Sequence, residues 1–456
     1  MSLDPSEVKR AKQVTPEERK AQVRRAIAAS VVGTSIEWYD FFLYGTAAAL
    51  VFPAVFFPAS STYVGTLEAF ATYAVGFAAR PVGAAIFGHW GDRLGRKNTL
   101  IATLLTMGLA TTVIGILPGT ETIGVWAPVL LVVMRMFQGI GVGGEWSGSV
   151  LLAMEWGDQR RRGLTASWPQ VGVPIGLLLS NGAISLFAYL SGTGFEGWGW
   201  RIPFLFSLVL VAIGLYIRLR ILETPLFAQL LDEKRVESAP VAQVIKRNPG
   251  EIILSAFLRL AEQMPFYIFT AFVFAYGETL GYGHGLLLNS VLAAAGLSLF
   301  SIPFFGNLSD RIGRKRVYMA GAVLIAVWAF PYFVGLTSGI PIFVFLAIFL
   351  SLIPHDMMYG PQAALIAESF STSLRYSGAG LGYQLASVIA GGPAPLVATW
   401  LLHTFGTPYS IAGYIIAGAV ITVIATALLP DRSKVDLTDD SAYQRRRVDA
   451  AEPRTV

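Results

Sequence analysis

The stretch "GHWGDRLGRK", Gly88–Lys97, returns as "GNLSDRIGRK", Gly306–Lys315. Both read G-x-x-x-D-R-x-G-R-K, and they start 218 residues apart. A second pair follows each of them. "EWGDQRRR" (Glu155–Arg162) and "ESFSTSLR" (Glu368–Arg375) share Glu, six residues, then Arg, at an offset of 213. Two matches at nearly one spacing indicate a duplicated chain with two parallel halves.

The sequence around the motifs is apolar. Of 456 residues, 54% are hydrophobic and 14% charged, against roughly 25% charged in an ordinary soluble protein. Runs of the length that crosses a bilayer recur throughout. Twelve spans are expected near 26–52, 67–88, 98–118, 125–154, 164–190, 202–220, 250–276, 286–306, 317–338, 340–366, 376–402 and 409–429. The fold class is an all-α membrane protein with six spans in each half. The expected division is an N-terminal arm 1–25, a six-helix bundle 26–220, a linker 221–249, a second bundle 250–429 and a tail 430–456. Thr15 and Glu18 fit a capping box, so a short interfacial helix is expected before the first span. The first 24 residues are too polar for a cleavable signal peptide.

Charge placement orients the chain. Lys and Arg cluster in the arm, in the two repeated motifs, at Arg160–Arg162, in the linker and in the tail, and almost none of the 34 fall in the opposite loops. Both termini are therefore expected on the cytoplasmic side. The formal net charge of +5 reads as a topology signal beside a lipid bilayer, with no nucleic-acid partner. There is no cysteine. No metal-ligand cluster, P-loop or nucleophile elbow is present, so neither an enzyme nor a cofactor or metal site is expected.

Some charges lie inside the spans, where each costs on the order of 3 kcal/mol. Glu37 and Asp40 are three residues apart and share a helix face. Asp40 is 14 residues into the first span, about 21 Å along a helix. Arg135 is ten residues into the fourth, about 15 Å. Both reach the middle of a ~30 Å core. One carboxylate is expected to neutralise Arg135 and the other to exchange a proton. Burial favours the protonated acid and a nearby guanidinium favours the ionised one, so moving the arginine changes proton affinity. A static structural pair is the alternative.

The paired loops resemble the signature of the major facilitator superfamily of secondary transporters. "IEWYDFFLYG", "RPVGAAIFGHWGDRLGRK", "RMFQGIGVGGEWSG" and "RYSGAGLGYQLASV" are similar to the bacterial metabolite:proton symporter family, whose members carry shikimate, 2-oxoglutarate, citrate, and proline or betaine. "HDM" at His355–Met357 and "YSGAGLGYQ" at Tyr376–Gln384 look most like its shikimate permease branch. The resemblance implies two six-helix repeats around a central cavity, working by alternating access. It implies that Gly88, Asp92, Arg93, Gly95, Arg96 and Lys97 form a gating loop that stabilises the outward-open form, with Glu145 or Glu155 as partner. Gly306, Asp310, Arg311, Gly313, Arg314 and Lys315 form its repeat, alongside Arg162, Glu368 and Arg375. Proton-coupled sugar carriers of the superfamily have an Asp after a Tyr in span one and an Arg in span four, and Tyr39-Asp40 and Arg135 look similar.

A substrate carboxylate suits Arg135, with Gln138 one turn on. Gln170, Arg259, Glu262, Gln263, Asn289, His355, Asp356, Tyr383 and Gln384 are the remaining candidate cavity residues, and Pro354 is expected to break the tenth span. Arg259–Glu262 reads equally as a structural pair, and His355 equally as a packing residue. Trp38, Tyr44, Phe266 and Tyr267 read as packing. The glycines of "GIGVGG" (139–144) suit either close packing or bending. The expected function is proton-coupled uptake of a small organic anion by a monomer. A compatible-solute symporter is the alternative, weakened by a tail without heptads. A non-transporting sensor would need a cytoplasmic domain that the short termini do not supply.

Overall fold

The computed structural model describes residues 15–60, 62–233, 237–437 and 443. Twelve long helical segments run back and forth. The first three are Pro16–Leu50, Thr62–Leu94 and Arg96–Ile116. The fourth is Trp126–Trp156, and the fifth is Arg162–Gln170 with Gly172–Ser191. The sixth is Arg201–Leu219. The second half begins at Pro249 and includes His284–Ile312, Arg314–Leu336, Pro341–Ala367 and Tyr409–Leu428. Among the described residues, ten of the helical stretches are long and apolar enough to cross a membrane. The first two spans fall outside that group because they carry Glu37, Asp40 and Arg80 inside their apolar stretches.

The Thr15 hydroxyl accepts from the Glu18 amide at 3.3 Å, and the Glu18 carboxylate accepts from the Thr15 amide at 2.9 Å. The capping box is there, but the helix it starts is not a separate one. It continues without a break into the first span for 35 residues, because the chain meets no further proline until Pro53. The linker is more ordered than its prolines suggest. Pro225–Asp232 and Pro240–Arg247 are short helices, each with proline in its first turn.

The halves meet where the second span packs on the eleventh and the fifth packs on the eighth and tenth. Within the first half, the glycine-rich fourth span is one uninterrupted helix. Its glycines serve close approach, since a Cβ at Gly143 would strike the Arg80 carbonyl on the second span. Pro354 does not break the tenth span, which is one helix over Pro341–Ala367. The breaks fall in the fifth span, at Val171, and in the seventh and eleventh. The seventh is Pro249–Leu258, Leu260–Tyr267, a π-helical turn Ile268–Phe272 and Val273–Thr279. The eleventh is Arg375–Ala386, a π-helical turn Ser387–Gly391 and Ala394–Phe405. Turns of this kind are frequent at functional sites.

Candidate functional site

The repeated motifs build two matching latches at one end of the bundle. In each, the second glycine turns the chain between two spans at positive φ, +99° at Gly95 and +102° at Gly313. The aspartate of each motif then caps a helix of the other half. Asp92 accepts from the amides of Tyr376 (3.3 Å) and Ser377 (2.9 Å) and from the Ser377 hydroxyl (2.7 Å), at the start of the eleventh span. Asp310 accepts from the amides of Gly163 (2.8 Å) and Leu164 (2.9 Å), at the start of the fifth. A carboxylate at a helix N-terminus satisfies orphan N–H groups and opposes the helix dipole.

The arginine of each motif joins that aspartate to the second repeated pair. Arg96 lies 3.6 Å from both Asp92 and Glu155, and Arg375 lies 3.9 Å from Glu155. Arg314 lies 2.8 Å from Asp310 and binds Glu368 through two nitrogens at 2.8 and 2.9 Å, while Arg162 is 3.4 Å from Glu368. Arg162 thus reaches into the second half and Arg375 into the first, and all of these side chains are almost fully buried.

Other expected members of the latch lie elsewhere. Glu145 is ten residues deeper than Glu155, about 15 Å along the helix. There it pairs with Arg218 of the sixth span and accepts from Thr103 and Ser149. Arg93 and Arg311 are exposed, with Arg93 against His89. The Lys315 ammonium donates to the carbonyls of Ala427 and Leu429 at the end of the last span. The Lys97 amide donates to Glu223, whose carboxyl burial pushes up against the hydrogen bonds of Thr224 and Lys97 and the charge of Arg96.

At mid-depth the expected ion pair between Arg135 and a first-span carboxylate does not form. Asp40 faces the third and sixth spans, where it accepts from Thr111 (2.8 Å) and Ser207 (2.5 Å). Arg135 donates to Gln138 (3.1 Å) and lies among Tyr44, Tyr73 and Phe41, 4.1 to 5.2 Å from the ring centres. Gln138 donates in turn to the Thr111 hydroxyl at 2.7 Å. The two charges are therefore joined through Gln138 and Thr111, because the side chains leave their helices in different directions. Glu37 is buried and its Oε2 has no hydrogen-bond partner.

The second half gathers its candidates into one chain. Arg259 pairs with Glu262 at 3.2 Å and donates to the Tyr383 carbonyl. Glu262 accepts from Gln362 (3.0 Å) and lies 3.4 Å from His355, which is 2.8 Å from Asp356. Ser301 closes the chain on Asp356. His355, Asp356, Tyr359 and Phe266 line a small cavity with Val173 and Leu177 of the fifth span. Polar contacts also bridge the halves. Gln170 accepts from Trp146 (2.8 Å), Trp146 stacks on Tyr383 at 3.7 Å, and Gln384 donates to the Val142 and Gly143 carbonyls. Gln263 reaches Gln384 through Ser387.

Asn289 does not line the cavity. It is exposed, on the opposite side of its helix from the buried Leu287, Ser290 and Val291. Phe266, read as packing, lines the cavity and stacks on His355 at 4.9 Å. Tyr44 carries the Arg135 guanidinium on its face. Sequence reasoning passed over Thr111, Ser207 and Gln362, which no charge in an apolar run announces. Arg80 did carry that signal, inside "AARPVGAA".

Two repeated halves that latch at one end and share a polar, lipid-shielded centre are the working parts of a secondary transporter. The chain belongs to the major facilitator superfamily, within its sugar and metabolite transporters. Residues 26–253 match the family described as "Sugar (and other) transporter" and residues 290–448 match "Major Facilitator Superfamily". The chain is 45% identical to the shikimate transporter of Escherichia coli (strain K12), over 91% of this chain and 96% of that one. It is 41% identical to that organism's inner membrane metabolite transport protein YhjE (89% and 93% covered) and 32% identical to its proline/betaine transporter (88% and 82%). Among solved structures, the fold matches the proton:xylose symporter XylE bound to 6-bromo-6-deoxy-D-glucose with a TM-score of 0.75 at 18% identity, covering 93% and 99% of the two chains. The protein is a multi-pass membrane transporter of small metabolites.

Proposed function

We propose that the protein is a proton-coupled importer of a small organic acid, shikimate or a related carboxylate such as 2-oxoglutarate. The observation that carries this reading is the relay Arg135–Gln138–Thr111–Asp40. Asp40 is a buried acid held by two hydroxyl donors, and among the described residues it makes no ion pair. Such an acid can take or release a proton without breaking a salt bridge. Arg135 is the cation that a substrate anion would engage, at the other end of the relay. Drawing Arg135 toward an anion loosens Gln138 and alters the donors around Asp40, so the two binding events sense each other. Glu37, one turn away on the first span, is the second proton site.

The likeness to the shikimate transporter supports the carboxylate. The termini and the latched end are cytoplasmic by the charge distribution, and the two bundles, 26–220 and 250–429, are the bodies that rock. With both latches joined across the halves, the present form is closed toward the cytoplasm.

Uptake by proteoliposomes under an imposed pH gradient tests the proposal, screened with shikimate, 2-oxoglutarate, citrate, benzoate and betaine. Acid uptake abolished by a protonophore is the expected result. Indifference to every acid, with betaine uptake on osmotic upshift, would replace it with the compatible-solute reading.

A further inference from the structure

Two buried guanidinium groups share one phenylalanine ring. The Arg80 Cζ lies 4.5 Å from the centre of Phe41 and the Arg135 Cζ lies 5.2 Å from it. Arg80 comes from the second span and Arg135 from the fourth, and each is 2% exposed. Other buried arginines of the helical interior are matched. Arg96, Arg162, Arg218, Arg259, Arg314 and Arg375 each lie within 4.0 Å of a carboxylate. Among the described residues, Arg80 and Arg135 make no ion pair. Arg135 has one bond to Gln138, and its Nε and Nη2 have no partner. The contacts of Arg80 are ring faces, Phe77 at 4.4 Å and Trp38 at 5.9 Å besides Phe41.

The backbone is shaped to this pair. Gly76 is one turn before Arg80 on the same face, and Arg135 lies directly against it. A Cβ at Gly76 would meet the Arg135 Nε at 2.5 Å and Cζ at 2.9 Å. Ring faces offset part of the desolvation of a cation, but two like charges without a counter-ion in an apolar interior are matched only by an anion. The nearby acids do not supply it. Asp40 is held by Ser207 and Thr111. Glu37 is near enough to feel the charge of Arg80, but among the described residues it makes no ion pair with either arginine.

We infer that Arg80 and Arg135 together hold the carboxylate of the substrate, with Phe41, Tyr44, Tyr73 and Phe77 forming the wall for its ring or carbon skeleton. This deepens, and rests on, the reading of the protein as a carrier of organic acids. It places the anion in the first half. Arg259, already engaged by Glu262 and the Tyr383 carbonyl, is a structural cation.

Calorimetric binding to the purified full-length protein in detergent tests this, with shikimate, benzoate, their neutral methyl esters and betaine. The wild-type protein is expected to bind the acids at least about tenfold more tightly than the esters. Arg80→Gln and Arg135→Gln should each weaken the acids by about tenfold or more and leave ester binding unchanged, so that the preference disappears. Gly76→Ala keeps both charges and moves only Arg135. It should weaken the acids in the same way and serves if a charge variant fails to fold. Acids that bind the variants with the wild-type preference overturn this inference alone. A wild-type protein that binds betaine and no acid overturns the proposed function with it.

Discussion

Asp40 and Glu145 show how differently buried acids are held in one molecule. Asp40 is met by two hydroxyls and Glu145 by Arg218 and two hydroxyls. Asp40→Asn keeps the size and one acceptor but cannot ionise. It should reduce accumulation driven by a pH gradient at least about tenfold, while counterflow exchange of labelled for unlabelled substrate continues. Comparing the two assays in one vesicle preparation checks this, and full accumulation by the variant would remove Asp40 from coupling. Arg218→Ala acts on stability instead. It leaves Glu145 buried without its cation, so thermal unfolding in detergent should show a loss of about 3–5 kcal/mol. Asp40 and Arg135 are visible in the sequence because a charge in an apolar run is conspicuous. Their partners are not, because threonine and serine are ordinary residues in a membrane helix and only the crossing of the first, third and sixth spans selects Thr111 and Ser207. The same limit explains the missing ion pair, since depth along a helix follows from counting residues but direction around it relative to a neighbour does not.

Aspartates that cap helix ends across the two halves make the latch. Each repeated aspartate caps the first turn of a span in the opposite half, so the halves separate only when both caps are given up. Losing a charged cap costs about 1–2 kcal/mol, a factor of roughly 5 to 30 in the balance of closed and open forms. Asp92→Asn and Asp310→Asn should therefore each raise the population open at this end. Electron–electron distances between spin labels at the exposed positions Arg160 and Arg316 would lengthen in both variants, and an unchanged distribution would deny the caps this role. The duplicated motif made the latch legible as a pair, because the same residues recur at one offset. It did not distinguish Glu155 from Glu145. Both lie on the fourth span, and packing alone puts one beside Arg96 and the other beside Arg218.

Across the whole molecule, the segment after the last span ties the two latches together. The carbonyls of Ser433 and Val435 accept from Arg162, and the Leu437 carbonyl accepts from Thr372 and Arg375. Truncation after Pro430 should remove these tail bonds from both arginines, leaving each with its glutamate, and shift the same spin-label distances toward the open form, with the remaining chain still folded. The absence of cysteine makes orientation directly measurable. A single cysteine at Thr337, exposed at the end opposite the motifs, should react with an impermeant maleimide in intact cells, and one at Arg160 only after lysis. The opposite pattern would invert the assigned topology. From the sequence alone came the twelve spans, their duplication and the depth of each charge. These depend on composition and on a fixed rise per residue, which the chain carries locally. The tertiary structure decided which charges meet, that Asp40 and Arg135 are joined by hydrogen bonds through Gln138 and Thr111, and that Arg80 joins Arg135 on Phe41. Those outcomes depend on how helices distant in sequence rotate and cross, and that is set only when their surfaces pack together.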